Sequence, residues 1–136
     1  MIEVPVDRTI DVPVDGAIDE AAAERAERVV LQRAGSRPPL FLIRTWRGEI
    51  ASQRSLARRL GPEQPIFSIA PPHGDKPEDY PVDANAWADL ALARLLCVQH
   101  TGPYLIGGWS FGGVIALEVA ERLTNFSPLR AARMRR

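Results

Sequence analysis

The residues most able to do chemistry lie at Gly108-Trp109-Ser110-Phe111-Gly112, a G-x-S-x-G sequence. An apolar run, Tyr104-Leu105-Ile106, enters it, and a long apolar helical pattern over Gly112 to Leu123 leaves it. A serine at such a junction can serve as a nucleophile. The chain must pass from strand to helix with almost no loop. That strains the backbone at the serine and presses it against its neighbours, which only small flanking residues permit. Gly108, Gly112 and Gly113 supply them. The turn leaves the hydroxyl exposed at the top of a sheet. The backbone N–H of Phe111 then sits at a helix N-terminus, where the dipole favours negative charge. That N–H is one half of an oxyanion hole. A glycine-rich turn whose serine merely caps the helix would use the same residue types. The strand before and the amphipathic helix after favour the nucleophile. A dinucleotide-binding G-x-G-x-x-G cannot be laid here, because Trp109 or Ser110 falls at its second glycine.

The elements that must position this serine alternate between strand and helix. Val29, Val30 and Leu31 favour a strand, and residues 34 to 39 (AGSRPP) make a turn. Leu40 to Ile43 reads as a buried parallel strand. Ser52 can cap a helix ending at Leu60 before Gly61. Pro65 to Ile69 is the next strand, followed by the proline-rich loop APPHGDKPEDYP. Asn85 to His100 is helical, and Tyr104 to Ile106 is the strand before the serine. Such alternation predicts an α/β fold with a mostly parallel sheet and helices on both faces. The first 27 residues differ. They hold a near-repeat, VPVDRTID then VPVDGAID, too short for a solenoid. Pro5 and Pro13 disfavour a central strand, so an acidic linker or loose edge segment is expected, with Asp19 capping a short helix over Ala21 to Ala26. Residues 125 to 136 read as a basic, solvated tail.

The 136 residues suffice for one domain and carry no formal net charge, so composition gives no reason to expect a nucleic-acid or membrane partner. The single cysteine, Cys97, excludes an internal disulfide and fits a reducing compartment. Set among Leu95, Leu96 and Val98, it reads as a packed thiol. The acidic start lacks an apolar core, so no signal peptide is expected, and a cytoplasmic protein is. The acids of the 70 to 83 loop lack metal-ligand spacing.

Three pieces, RVVLQRAGSRPPLFLIRTWRGEI, SLARRLGPEQPIFSIAPP and GPYLIGGWSFGGVIALEVAERL, resemble the thioesterase domains of nonribosomal peptide and polyketide synthases, which are α/β-hydrolases. Their order and spacing agree with that family over roughly residues 28 to 124. The resemblance implies that Val29 to Gln32 is hairpinned to the next strand. It implies that Ser110 is the nucleophile for an acyl or peptidyl group delivered on the phosphopantetheine arm of a carrier protein, with no cofactor bound by the domain itself. It places the second oxyanion donor in Arg44-Thr45-Trp46-Arg47-Gly48, best matched by the N–H of Trp46, with Thr45 next. Trp46 is bulky where the family is small, which either narrows the acyl pocket or covers the core edge. The exposed arginines expected at Arg54, Arg58 and Arg59 either meet an acidic carrier surface or form a solvated helix face.

The family's partners of the serine do not follow it here. In this fold an Asp or Glu and then a His come after the serine. After Ser110 the acids are Glu118 and Glu121, both within the next helix, and no histidine follows. His73 and His100 both precede Ser110, His73 in the proline-rich loop and His100 at a helix end. The expectation is a partial α/β-hydrolase whose C-terminal strands are absent, with an incomplete triad. A truncated or frame-shifted thioesterase fits, as does a non-catalytic remnant or half-domain that binds a carrier protein or partner chain. Such a chain would leave the 104 to 106 strand at a bare edge and invite self-association. A serine esterase of the same fold is a third reading.

Overall fold

The structure, a computed structural model, describes residues 1–4, 28–45, 49–70 and 83–125. The expected Asp19-capped helix, the loop holding His73, and the basic tail from 126 onward lie outside the described residues. Strands β1 (Ile2–Val4), β2 (Arg28–Gln32) and β3 (Leu40–Ile43) come first, then helix α1 (Glu49–Leu60) and β4 (Ile66–Ile69). Helix α2 (Ala84–Val98), β5 (Tyr104–Gly108) and α3 (Phe111–Asn125) complete the described part. One sheet runs β1-β5-β3-β4-β2. The three inner strands are parallel to one another, and β1 and β2 close the two edges antiparallel.

Burial explains the order. All four residues of β3 are buried, as a central parallel strand covered on both faces requires. Phe41 and Ile43 point to the face carrying α2 and α3, where they meet Leu95, Ile115 and Leu123. Leu40 and Leu42 point to the other face, where Ala57 and Leu60 of α1 cover them. Asp83 starts α2 by accepting a hydrogen bond from the Ala86 N–H at 2.8 Å. Helix α3 buries Ile115, Val119 and Leu123 completely. Truncating any of these to Ala would cost about 2–5 kcal/mol, a large share of a typical domain's stability. Arg122 ties α3 to α2 through Asp89 and to its own helix through Glu118, both at 2.9 Å.

Four expectations are corrected. The edge of β5 is not bare: β1 pairs along it, with Ile2 opposite Ile106 and Val4 opposite Tyr104. Ile2 is drawn there by packing on the core, and exposed Glu3 lies on a strand only three residues long, both of which blunt further edge pairing. β2 is not hairpinned to β3. Both sides of β3 are taken by β4 and β5, so β2 pairs with the outer side of β4. Helix α1 begins at Glu49 rather than at Ser52, since Glu49, Ile50 and Ala51 contain no helix breaker. Cys97 is exposed, because the step after buried Leu95 and Leu96 turns it towards solvent.

One buried group opposes the fold. Arg94 on α2 is only 1% exposed, and its three guanidinium nitrogens find no hydrogen-bond partner among the described residues. Burial alone pulls its pKa down from the ordinary arginine range to about 10. The unfolded chain therefore holds the proton more firmly, so Arg94 weakens folding below pH about 10 and less so as pH rises through that value. We expect Arg94→Met to stabilise the protein by about 1–3 kcal/mol at neutral pH, measured as a higher urea midpoint with an unchanged slope.

Candidate active site

Ser110 is built by a strand, a helix and the space between them. It has φ of 52°, and it is the one non-glycine residue with positive φ among those described. For a serine this left-handed conformation costs about 1–3 kcal/mol, so the surroundings must hold it. They do so through the first turn of α3. The Gly112 N–H donates to Trp109 O and the Gly113 N–H to Ser110 O, each at 2.9 Å.

The flanking glycines differ in how far the geometry needs them. A Cβ on Gly108 would lie 2.3 Å from the carbonyl carbon and oxygen of Gly112. A Cβ on Gly112 would lie 2.8 Å from the carbonyl oxygen of Ile43 at the end of β3. Neither clash can be relieved by moving a side chain, because both are with backbone. A Cβ on Gly113 would meet Gly108 O at 3.4 Å, an ordinary contact. Gly108 and Gly112 are therefore required by space, and Gly113 is not.

The same closeness brings the loop after β3 to the serine. Gly108 pairs in register with Ile43, and the methyl of Thr45 lies 3.8 Å from where a Gly112 Cβ would stand. The chain leaves β3 towards β4 on one side and returns to β5 on the other, so the site lies at a topological switch point. Thr45 is half-buried beside the turn. Trp46 lies outside the described residues. Phe111 opens α3, so its N–H is among the first donors that a helix leaves without an intrahelical acceptor. Its ring, 43% exposed, rests edge-on against Trp87 of α2 with centroids 6.2 Å apart. Trp109 is 81% exposed.

The acid and base are not found beside Ser110 among the described residues. Glu118 lies about two turns along α3, bound to Arg122, and Glu121 is exposed further on. His100 is exposed beyond the opposite end of β5, roughly five strand residues or ~16 Å away. No group of three or more His, Cys, Asp or Glu that could hold a metal ion occurs among the described residues. No described helix is long and apolar enough to cross a membrane. Chemically the turn offers an exposed hydroxyl, a helix-terminal N–H, and a neighbouring loop that can bring a second donor.

Sequence reasoning missed Gly107. The doublet Gly107-Gly108 was the signal, since the turn itself accounts only for the second. A Cβ on Gly107 would meet Leu42 Cδ2 at 3.3 Å, beside a groove of about 500 Å³ between α1 and the sheet.

A strand-turn-helix serine held at positive φ, at the switch point of a mixed sheet with helices on both faces, defines a fold of the α/β-hydrolase class. Comparison with known proteins narrows this. The profile described as "Thioesterase domain" matches residues 38–128, and the chain belongs to that family. A non-reducing polyketide synthase of Pseudevernia furfuracea is 34% identical over 101 residues, 73% of this chain and 5% of that protein. A probable non-canonical nonribosomal peptide synthetase of Salinispora arenicola is 36% identical over 93 residues, 68% of this chain and 1% of its own length. The thioesterase domain NocB from the nocardicin cluster superposes with a TM-score of 0.58 at 28% identity, over 66% of this chain and 40% of that one. The chain thus spans a small part of the synthases it matches and less than half of that solved domain.

The glycine geometry gives a paired expectation. Gly108→Ala should lower thermal stability, because its Cβ displaces the backbone of Gly112. Gly113→Ala should stay within about 1 kcal/mol of the parent, helped by alanine's helix propensity. Circular dichroism melts would read both.

Proposed function

We propose that this chain carries the nucleophile half of a thioesterase that releases acyl or peptidyl groups from the phosphopantetheine arm of a carrier protein. The observation that carries this reading is Ser110 held at φ 52° within G-x-S-x-G, between β5 and α3. In this reading Ser110 Oγ attacks the thioester carbonyl. The N–H of Phe111 and an N–H of the Thr45–Trp46 loop stabilise the oxyanion that forms. The C–S bond breaks, the pantetheine thiol leaves with a proton, and water or an internal nucleophile then takes the acyl group from the serine. The relatives' names, polyketide synthase and nonribosomal peptide synthetase, support a carrier-bound thioester as substrate. The exposed arginines Arg54, Arg58 and Arg59 on α1 are candidates for meeting an acidic carrier.

The triad is incomplete in this reading: a base and its carboxylate must come from outside the described residues or from a partner chain, because serine alone is a weak nucleophile. The placement of Glu118, Glu121 and His100 away from Ser110 favours a second reading, a remnant that docks a carrier protein without turnover.

Hydrolysis of an acyl thioester loaded on a carrier protein separates the two. The first reading expects product release above the buffer rate that Ser110→Ala returns to background. Release that persists unchanged in Ser110→Ala would refute the assignment of the nucleophile. Carrier binding with no release by either protein would favour the remnant.

A further inference from the structure

The two edges of the sheet are held unequally. β2 is five residues long and lies on β4 through four register pairs, from Arg28 opposite Ile69 to Gln32 opposite Ile66. β1 is three residues long and lies on a strand of five. Its register runs from Val4 opposite Tyr104 to Ile2 opposite Ile106 and stops there. Gly107 and Gly108, the two residues of β5 nearest the serine turn, pair with Leu42 and Ile43 of β3 on the inner side and fall outside the register with β1 on the other. Pairing this short is marginal unless side chains anchor it. Ile2 supplies an anchor, half-buried against the core, whereas Glu3 beside it is exposed. The edge beneath β1 needs a cover, because Tyr104 and Ile106 are completely buried and an open apolar edge templates pairing with another strand. Residues 5–27, 23 in all, join β1 to β2 at the opposite edge. The edges lie about 19 Å apart at the usual strand spacing, and a chain of that length extends to roughly 75 Å. β1 can therefore leave β5 and return while β2 and the core stay in place.

We propose that the outer edge of β5 accepts an extended strand from another polypeptide, and that β1 is the exchangeable occupant that otherwise keeps this edge closed. The proposal goes beyond the thioesterase reading and needs no reaction at Ser110. β1 itself displays the chemistry the edge selects: an apolar side chain opposite Ile106, a polar one at the next position, and main-chain groups for the ladder. In strand addition of this kind the main chain supplies affinity and alternate side chains supply selectivity. A longer strand has more to gain than β1. Continued past Ile106, it would pair along Gly107 and Gly108, which present backbone without side chains. The Met1 Cα already lies 3.9 Å from where a Gly107 Cβ would stand, so a neighbouring chain fits closely there. A strand seated so far along β5 ends beside the turn that carries Ser110.

The test uses the full chain and the peptide VMIEVPVD, labelled with fluorescein at its C-terminal end. The peptide repeats residues 1–7 behind one added valine, which extends it to Gly108. Binding is read by fluorescence anisotropy, and circular dichroism reports folding of the variant. Ile2→Asp, which removes the anchor of β1, should bind the peptide at least about tenfold more tightly than the parent does. The reason is that a mostly closed edge lowers the parent's apparent affinity by its open fraction. A peptide with aspartate in place of its isoleucine should bind neither protein. Equal binding by the two proteins would overturn the proposal, as would no binding by the folded variant or equal binding of the two peptides. Amide hydrogen exchange on the parent gives a reading that does not depend on the variant. Residues 2–4 should exchange at least about a hundredfold faster than residues 40–43 of β3, as an edge that opens locally requires. Equal exchange rates in the two strands would show that β1 is a fixed part of the sheet and overturn the proposal.

Discussion

Ser110 can hold a left-handed backbone only because three backbone segments approach more closely than any side chain allows. The end of β5 at Gly108, the first turn of α3 at Gly112 and the end of β3 at Ile43 meet within van der Waals distance. That contact decides most of what surrounds it. It sets β5 beside β3 in register, starts α3 immediately after the strand, and brings Thr45 against the first turn of α3 at Gly112. The unfavourable conformation of one residue is sustained by the packing of the whole helix behind it. Ile115, Val119 and Leu123 press α3 onto the sheet, and Arg122 pins it to α2.

The two faces of the sheet are not equally finished. On the side of α2 and α3 a continuous core runs from Phe41 and Ile43 to Leu123. On the other side, among the described residues, Ala57 and Leu60 of α1 pack with Leu31 and Leu105 against Leu40, Leu42 and Ile66, and Leu56 and Trp109 are exposed. The core on the first face is the one that holds the serine in place, through the packing of α3.

Much of this was legible in the sequence, for definite physical reasons. The run Leu40 to Ile43 read as a buried parallel strand because nothing in it favours water, and it is one, at the centre of the sheet. The turn glycines were legible because a strand that becomes a helix without a loop leaves no room for side chains. Their ranking was not, since only coordinates show that Gly113 has room for a Cβ and Gly108 has none. Edge pairings were illegible too. Which strand sits beside β4 or β5 depends on which edges remain after the parallel core forms, and three residues at Ile2–Val4 carry too little pattern to reveal their partner. Gly107 was not legible, because the room a side chain would take there is limited by Leu42 across the sheet and not by the turn.

The central claim is that the strained serine accepts an acyl group. Intact-mass spectrometry of the chain after incubation with an acyl-pantetheine thioester, followed by peptide mapping, addresses it most directly. The account predicts a single acyl adduct on the peptide containing Ser110, absent in Ser110→Ala. An adduct confined to exposed Cys97, or none under conditions where the thioester is intact, would contradict it.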